Sequence, residues 1–343
     1  MRKVIRIRCI IIVVLFALLA TVGVIALFAN ADAFALSALS NGSGTKDDPY
    51  VITTMTQLNN LQAISASELS EEYTKDKYFR LDRDLATAYT VTSAQNGFFG
   101  HFDGNGHTIR ILGDTGLFYR LASGGDIYNL NLNLNMKVDY AEDYYGLVCE
   151  VEEGAVIRDC SIYGNVTIDF SSWKTRLSRE GESARFAAFC ITNNGTISNC
   201  HYYGSVIQPN FETMGSKSSV RAGLYSVYGA GVIDNCTVEG NLQLVANSYV
   251  YYFSTFSRAN TVRNCEFVGD VQVSLCDDYY NVGSVVQIYT IGNNATDSVH
   301  TGNAIFDHRS QAVRGFAKLT IAIGSKDGNC VHNGTIETIN KAK

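Results

Sequence analysis

A motif that recurs four times restricts the fold of this chain more than any other feature. In each copy a cysteine follows Asp or Asn, an aliphatic residue stands three positions before the cysteine, and glycine stands four positions after it. The copies are Val156–Val166, Thr196–Val206, Val232–Leu242 and Thr261–Val271. A weaker copy at Ile127–Leu132 has Leu130 in the cysteine position. Repetition every ~30 to 40 residues predicts a fold of stacked units.

Apolar and polar residues alternate around each cysteine, which is typical of short, half-buried strands. A second signature, a small residue followed by aliphatic and aromatic residues, lies between copies at 116–118, 146–148, 187–189 and 223–225. Propeller blades keep a nearly constant length of roughly 40–50 residues, whereas the spacings of these cysteines vary between 29 and 40 residues. The pattern therefore favours a parallel β-solenoid, in which strands stack and loops vary in length.

The N-terminus predicts export. Four positive charges in the first eight residues precede an apolar stretch from Cys9 to Phe28, and Ala-x-Ala sites follow between Ala29 and Ala35. This is the arrangement of a secretory signal, and the apolar run is also just long enough to span a bilayer. Residues 1–35 are therefore interpreted as a signal peptide or an N-terminal membrane anchor. Both alternatives place the protein outside the cell, either secreted or at the cell surface.

Stacked coils place equivalent side chains in ladders about 4.8 Å apart. We expect an inward cysteine ladder of Cys160, Cys200, Cys236 and Cys265, beside an inward aliphatic ladder of Ile157, Ile197, Ile233 and Val262. The Asp or Asn before each cysteine is expected to point outward or to bond a turn amide. Eight cysteines after Cys9 are an even number, which is typical of disulfides in an exported chain. Their shared position in successive coils favours free, buried thiols instead.

Three further segments, Gly42–Ile52, Tyr78–Leu85 and Phe99–Ile109, resemble the N-terminal part of exported bacterial β-helix proteins. With the repeats, they make the chain similar to GLUG-type repeat proteins of the pectin-lyase-like superfamily over roughly residues 42–300. The resemblance implies an all-β, right-handed parallel β-helix. We predict a small helical and strand cap over residues 36–90 and β-helix repeats over residues 91–343. Lyases, hydrolases, adhesins and inert spacers share such coils, so the resemblance leaves the activity open.

Two short motifs in the N-terminal part are given structural roles. Leu58, Leu61 and Ile64 lie on one face of a predicted short helix that begins after Thr54 or Thr56. Such a helix would cover the open edge of the first coil. Asp103–His107, with the sequence Asp-Gly-Asn-Gly-His, is interpreted as a tight corner between strands rather than an anion site or a carboxylate–histidine pair.

Two acidic, aromatic segments are the candidate ligand contacts. They comprise Asp143, Tyr144 and Tyr145 in the first and Asp277, Asp278, Tyr279 and Tyr280 in the second. Tyrosine rings can stack on sugar faces, and neighbouring carboxylates can accept hydrogen bonds from hydroxyls. The competing interpretation is that these rings pack in the core or along the ladders.

No catalytic set is evident from the sequence. The Asn-Thr-Asp, Gly-His-Gly and Arg-Ile-Lys motifs of polygalacturonase-type relatives do not occur, nor does the Arg-x-Pro-x-x-Arg of pectate lyases. Asp277 and Asp278 are the best available acids for the alternative function, an extracellular polysaccharide lyase or glycoside hydrolase. No Cys-x-x-Cys or clustered histidine spacing predicts a metal site, and no cofactor is expected.

The charge balance restricts the classes of molecule that the protein can bind. A net charge of −6, with four of the positive charges in the signal segment, leaves too few cations for a general nucleic-acid binder. We predict an exported, adhesin-like binding and scaffold protein that contacts an extracellular glycan or another surface protein. Contact with a membrane is expected only through the N-terminal segment. A purely structural spacer in the envelope is the third alternative.

Overall fold

The computed structural model describes residues 41–88, 96–113, 116–140, 142–170, 183–209, 219–246, 250–275, 284–308, 316–322, 324 and 328–340. The predicted signal or anchor segment and Asp277–Tyr280 lie outside the described residues. Across these ranges the chain is an all-β parallel solenoid of about seven turns with two short helices. In the same ranges, no helix has the length and apolar character needed to cross a membrane.

Five parallel sheets form the walls of the solenoid. Sheet I consists of Tyr50–Ile52, Tyr78–Leu81, His101–Asp103, Asp126–Tyr128, Val156–Arg158, Thr196–Ser198, Val232–Asp234, Thr261–Arg263 and Ala295–Thr296. Sheet II consists of Leu85–Thr87, Thr108–Ile111, Asn131–Asn133, Ser161–Tyr163, His201–Tyr203, Thr237–Glu239, Glu266–Val268, Val299–Thr301 and Val331–Asn333. Sheet III consists of Met136–Val138, Val166–Ile168, Val206–Ile207, Leu242–Ala246, Val271–Leu275, Ala304–His308 and Ile336–Asn340.

The two remaining sheets have fewer strands and lie between sheet III of one coil and sheet I of the next. Sheet IV consists of Asp143–Tyr145, Ser183–Ala187, Ser219–Gly223, Val250–Ser254, Ser284–Tyr289 and Phe316–Ala322. Sheet V consists of Phe118–Leu121, Val148–Val151, Cys190–Asn193 and Ser226–Tyr228. The final strands of sheets II and III, Val331–Asn333 and Ile336–Asn340, add a last coil.

The corner between sheets I and II is the same in successive coils. One residue turns the chain there with φ between +49° and +55°, and these residues are Asn129, Asp159, Asn199, Asn235, Asn264, Asp297 and Asn329. Asn and Asp tolerate this left-handed conformation better than other side chains. Their exposed side chains also bond each other, with Asn199 Nδ2 donating to Asp159 Oδ1 at 3.2 Å. The expected outward orientation is confirmed.

The cysteine ladder lies directly behind this corner. Cys160, Cys200, Cys236 and Cys265 are buried, as are the aliphatic residues three positions before them, and the seven cysteines of the described ranges are free. Each thiol of the ladder contacts two carbonyls; Cys200 Sγ donates to Ser198 O at 3.2 Å and reaches Ile157 O of the preceding coil at 3.9 Å. The free-thiol interpretation is confirmed for these seven, and Cys276 lies outside the described residues.

A glycine corner follows between sheets II and III. Gly164, Gly240, Gly269, Gly302 and Gly334 have φ between +135° and +159°. A Cβ atom on Gly164 would lie 1.7 Å from Leu134 O of the preceding coil. The next residue is fixed by a polar ladder, as in Asp270, whose amide donates to Asn241 Oδ1 at 2.9 Å. In these coils, close stacking of backbone on backbone therefore excludes any side chain at the glycine position.

Both helices lie near the N-terminal end of the described chain. Helix α1, Met55–Ala66, begins after Thr54, which forms a capping box with Gln57, so the predicted helix and one of its two candidate caps are confirmed. Gln62 Nε2 donates to Leu117 O at 2.8 Å and joins the helix to the first coils. Helix α2, Ser70–Thr74, had no counterpart among the predicted elements. The strands of this segment pair directly into sheets I and II.

Candidate functional site

The bend between sheets IV and V carries the small–aliphatic–aromatic signature, but the strand pairing corrects its alignment. Val148 pairs with Cys190, and Cys190 pairs with Ser226. Residues 188–190 and 224–226 therefore occupy the positions of 146–148, one residue later than the sequence pattern suggested. The middle position of the bend is always a buried core residue, namely Leu117, Leu147, Phe189 and Tyr225.

A second apolar cluster lies outside this bend. Tyr144 belongs to the main core, so Tyr145 faces the opposite side of sheet IV because strand side chains alternate. There Tyr145 packs with Cys149, Ala187, Ile191 and Val227, and half-buried Tyr119 and Tyr228 lie against them. These residues fill the outer angle between sheets IV and V with a small core of their own.

A strip of half-buried polar and aromatic residues borders the second cluster. We call it the arginine–tyrosine seam, and it consists of Asp143, Arg185, Arg221, Tyr228, Tyr252 and Arg258. Four of these residues pair in register on successive strands of sheet IV, in the order Asp143, Arg185, Arg221 and Tyr252. At a strand spacing of about 4.8 Å they extend over roughly 14 Å along the solenoid axis.

The contacts of the seam leave two arginines without an acidic partner. Arg185 forms an ion pair with Asp143. Arg221 Nη1 donates to Tyr228 Oη at 2.9 Å, and the guanidinium carbon of Arg258 lies 4.0 Å above the Tyr252 ring. Within the described ranges, neither Arg221 nor Arg258 forms an ion pair with a carboxylate. The seam therefore has an excess of positive charge in a protein whose net charge is −6.

Burial controls the titration of the neighbouring groups. It raises the pKa of the Asp143 carboxyl, against the opposing effect of the Arg185 guanidinium. It also raises the pKa of the Cys149 thiol to about 12, with a smaller contribution from Asp143. Cys149 is therefore protonated at neutral pH and is not a nucleophile. The seam can bind charges through its arginines, and no activated nucleophile accompanies them in the part of the chain described.

The predicted site residues are placed as follows. Asp143 lies in the seam, Tyr145 lies in the second cluster, and Tyr144 packs in the main core with its hydroxyl accepting from Tyr140 N at 3.0 Å. Both tyrosines are only 4% exposed, so protein atoms cover the ring faces that were expected to meet a sugar. The second predicted segment, Asp277–Tyr280, lies outside the described residues and directly precedes the sheet IV strand Ser284–Tyr289 in the chain.

Sequence reasoning did not identify the arginines of the seam. Arg185, Arg221 and Arg258 lie in segments without a motif, and only the register of sheet IV brings two of them into line with Asp143. A correct alignment of the bend signature would have placed Asp143, Arg185 and Arg221 at equivalent positions of successive coils. Among the described residues, no group of three or more potential ligands is arranged to hold a metal ion.

The fold and the seam together define a parallel β-solenoid with an outward cationic and aromatic strip. No family model matches the chain. It is 31% identical over 168 residues, 42% of its length, to a stretch making up 2% of "Halomucin" from Haloquadratum walsbyi. It is 27% identical over 173 residues, 48% of its length, to 15% of a "Putative Gly-rich membrane protein" from Evansella cellulosilytica.

Among solved structures, a "putative immunoglobulin A1 protease" from Bacteroides ovatus is 15% identical to this chain, with 86% of each chain covered and a TM-score of 0.46. The matched stretches are small parts of the two curated relatives. The resemblance to GLUG-type and pectin-lyase-like proteins therefore stays a prediction.

Proposed function

We propose that this protein is an exported β-solenoid that binds an acidic glycan along the arginine–tyrosine seam. The proposal rests on the pair of arginines, Arg221 and Arg258, that form no ion pair with a carboxylate among the described residues. Arg is the side chain best suited to bind carboxylate or sulfate groups, because its guanidinium presents a planar set of donors. The location outside the cell rests on the N-terminal signal pattern and agrees with the name of one relative, a membrane protein.

Two further features support an extended ligand. The seam follows the solenoid axis over several coils, so a polymer with repeating acidic groups can contact Arg221 and Arg258 together. Tyr228 and Tyr252 hold the guanidinium groups through a hydrogen bond and ring stacking, which lowers the entropy lost on binding. The overall negative charge of the chain disfavours nonspecific attraction of polyanions.

Binding of the full-length chain to immobilised alginate and dextran tests the proposal. Alginate carries carboxylates and dextran is neutral, so we expect retention on alginate alone and weaker binding at high salt. The double variant Arg221→Gln/Arg258→Gln should bind alginate at least ~10-fold more weakly, because two charge-assisted contacts are lost. Arg110→Gln, which removes an exposed arginine from sheet II, is the matched control and should bind as the wild type does.

Equal retention on both polymers, or unchanged binding by the double variant, would contradict the proposal. The same samples are assayed for unsaturated products and new reducing ends. Turnover of any polymer would replace the binding function with the lyase or hydrolase alternative and direct mutagenesis to Asp277 and Asp278.

A further inference from the structure

Four sequence segments that the seam does not use converge on one cavity at the N-terminal end of sheet I, and the last of them is the strand Asp126–Tyr128. The cavity measures about 130 Å³ and is lined by Lys46, Asp47, Pro49, Tyr78, Phe79, Arg80, Asp103 and Tyr128. The first three residues come from the loop before the first strand, the next three from the second strand, and Asp103 from the Asp-Gly-Asn-Gly-His corner. The cavity thus combines two cations, two carboxylates and two phenols in a small volume.

The polar side chains of this cavity are held in place by their neighbours. Asp103 Oδ1 accepts from Asn105 N at 2.8 Å and from Asn129 Nδ2 at 3.2 Å, which confirms the corner interpretation of this motif. The Tyr78 ring stacks on His101 at 4.2 Å between centroids. The Arg158 guanidinium carbon lies 4.0 Å above the Tyr128 ring. The two phenols and the carboxylate are therefore oriented in advance of any ligand, which lowers the cost of binding.

Arg80 and Asp103 keep side-chain atoms available to hydrogen-bond a ligand. They are register partners on adjacent strands of sheet I, yet they form no ion pair. The one carboxylate contact of Arg80 within the described ranges is with Asp82, at 3.5 Å from Nη2 to Oδ1, and 38% of its side chain is exposed. Both hydrogen bonds to Asp103 go to Oδ1, so Oδ2 stays open within the described part of the chain. Burial and the nearby Asp103 raise the pKa of Tyr128, so its hydroxyl keeps its proton at neutral pH.

We propose that this cavity binds a small carboxylate with a hydrogen-bond donor on the adjacent carbon, that is, an α-amino or α-hydroxy acid. The ligand carboxylate contacts the Arg80 guanidinium, since this is the partner that a planar donor set prefers. The ammonium or hydroxyl donates to Asp103 Oδ2, and the phenols of Tyr78 and Tyr128 complete the polar shell. The site is separate from the seam and does not depend on the proposed glycan function.

Calorimetric titration of the full-length chain at pH 7 with glycine, lactate and glycinamide tests this site. Glycine represents the amino acids, lactate represents the hydroxy acids, and glycinamide lacks the carboxylate. We expect binding of glycine or lactate and none of glycinamide. Arg80→Gln should weaken binding at least ~10-fold because the charge-assisted pair is lost. Arg83→Gln, which removes an exposed arginine three residues away, should leave binding unchanged.

Tyr128→Phe is the second variant and should weaken binding by roughly 3- to 10-fold while preserving the ring under Arg158. It keeps the test decisive if Arg80→Gln fails to fold. Absence of heat with both acids, equal binding of glycinamide, or full affinity in the folded variants would overturn the proposal. The seam variant Arg221→Gln/Arg258→Gln should bind the acids normally, so failure of one site is distinguishable from failure of the other.

Discussion

The chain changes direction at the two corners that flank sheet II and again at the bend between sheets IV and V, but the residues that form these turns differ. At the sheet II corners, each coil from Asp159 onward repeats a left-handed Asn or Asp, an inward cysteine or its equivalent, and a glycine packed on the carbonyl of the coil before. At the bend, register partners change from coil to coil, as with Asp143, Arg185 and Arg221. Identical corners serve stacking, because every coil meets the same neighbour.

The varied bend carries the surface chemistry. Its inward positions still stack, with the Phe189 and Tyr225 rings 4.3 Å apart between centroids. Its outward positions are released from that constraint and hold a second apolar cluster with charged residues beside it. Residues that repeat from coil to coil therefore hold the fold together, whereas residues that depart from the repeat are candidate ligand contacts. Four predictions test this division, beginning with the largest expected effect.

Replacing the corner glycine should be the most damaging change. Gly164→Ala places a Cβ atom 1.7 Å from Leu134 O, which neither backbone can avoid without separating two coils. We expect a loss of roughly 3 kcal/mol or more in the free energy of unfolding, measured with denaturant. Gly106→Ala is the control, because φ is also positive there but nothing lies within 4 Å, and it should cost about 1 kcal/mol. Equal losses would show that backbone conformation alone, not coil contact, selects glycine.

Truncating a ring at the bend should cost slightly less. Tyr145→Ala removes a buried ring from the second cluster and should lower the free energy of unfolding by about 3 kcal/mol. Tyr145→Phe keeps the packing and should stay within about 0.5 kcal/mol of the wild type. If Tyr145→Ala instead weakened alginate binding without loss of stability, the ring would be a ligand contact as the sequence pattern first suggested.

A cysteine of the ladder should be replaced at less cost by serine, which can still donate a hydrogen bond, than by valine, which is apolar. Cys236→Val leaves Asp234 O and Ile197 O without the thiol that contacts them at 3.3 and 3.8 Å. We expect it to cost about 2 kcal/mol, and Cys236→Ser to cost less because the hydroxyl can still donate. Thermal and denaturant unfolding of both variants provide the measurement, with Cys330→Val in the half-buried last position as the control. A serine variant less stable than the valine variant would show that the thiols serve only to fill space.

The smallest effect on stability is expected when the pH is lowered, through His300 near the C-terminal end of sheet II. Burial lowers the pKa of His300, with His332 adding to this effect, whereas the hydrogen bond to Gly269 O and the Asp270 carboxylate oppose it. Because the unfolded chain then binds the proton more readily, stability should fall as the pH drops below the ordinary histidine value of about 6.5. His300→Phe should flatten the dependence of Tm on pH between 5 and 8.

His201→Phe, which removes a half-buried histidine from an outward position of the same sheet, is the matched control. It should keep the acid sensitivity that His300 confers. An unchanged pH profile in His300→Phe would assign the sensitivity to other groups.

The repeats made the solenoid predictable because stacking imposes the same requirement on each coil. Cys160, Cys200, Cys236 and Cys265 could be recognised as a ladder from spacing alone, and the Leu58–Ile64 face was sufficient to predict the cap helix. The bend signature was misaligned by one residue in its last two copies. In one copy two successive small residues, Ala187 and Ala188, both fit the first position, and in the other Leu224 fills that position instead of a small residue. The same misalignment hid the column that contains Arg221. Arg258 could not be found from the sequence, since nothing along the chain relates it to Tyr252.

The fold class, the inward ladders and the outward corner residues follow from the amino-acid sequence, because they depend on local alternation and on identical contacts between equivalent positions. Which outward residues contact each other becomes visible only in the folded chain. Register between strands and the tight bend bring Arg185, Arg221 and Tyr228 together from different coils. The same packing covers Tyr144 and Tyr145, whose ring faces could have been open to solvent in another coil geometry. Which residues of neighbouring coils contact each other depends on loop lengths that differ between coils, so no repeat in the sequence marks these residues.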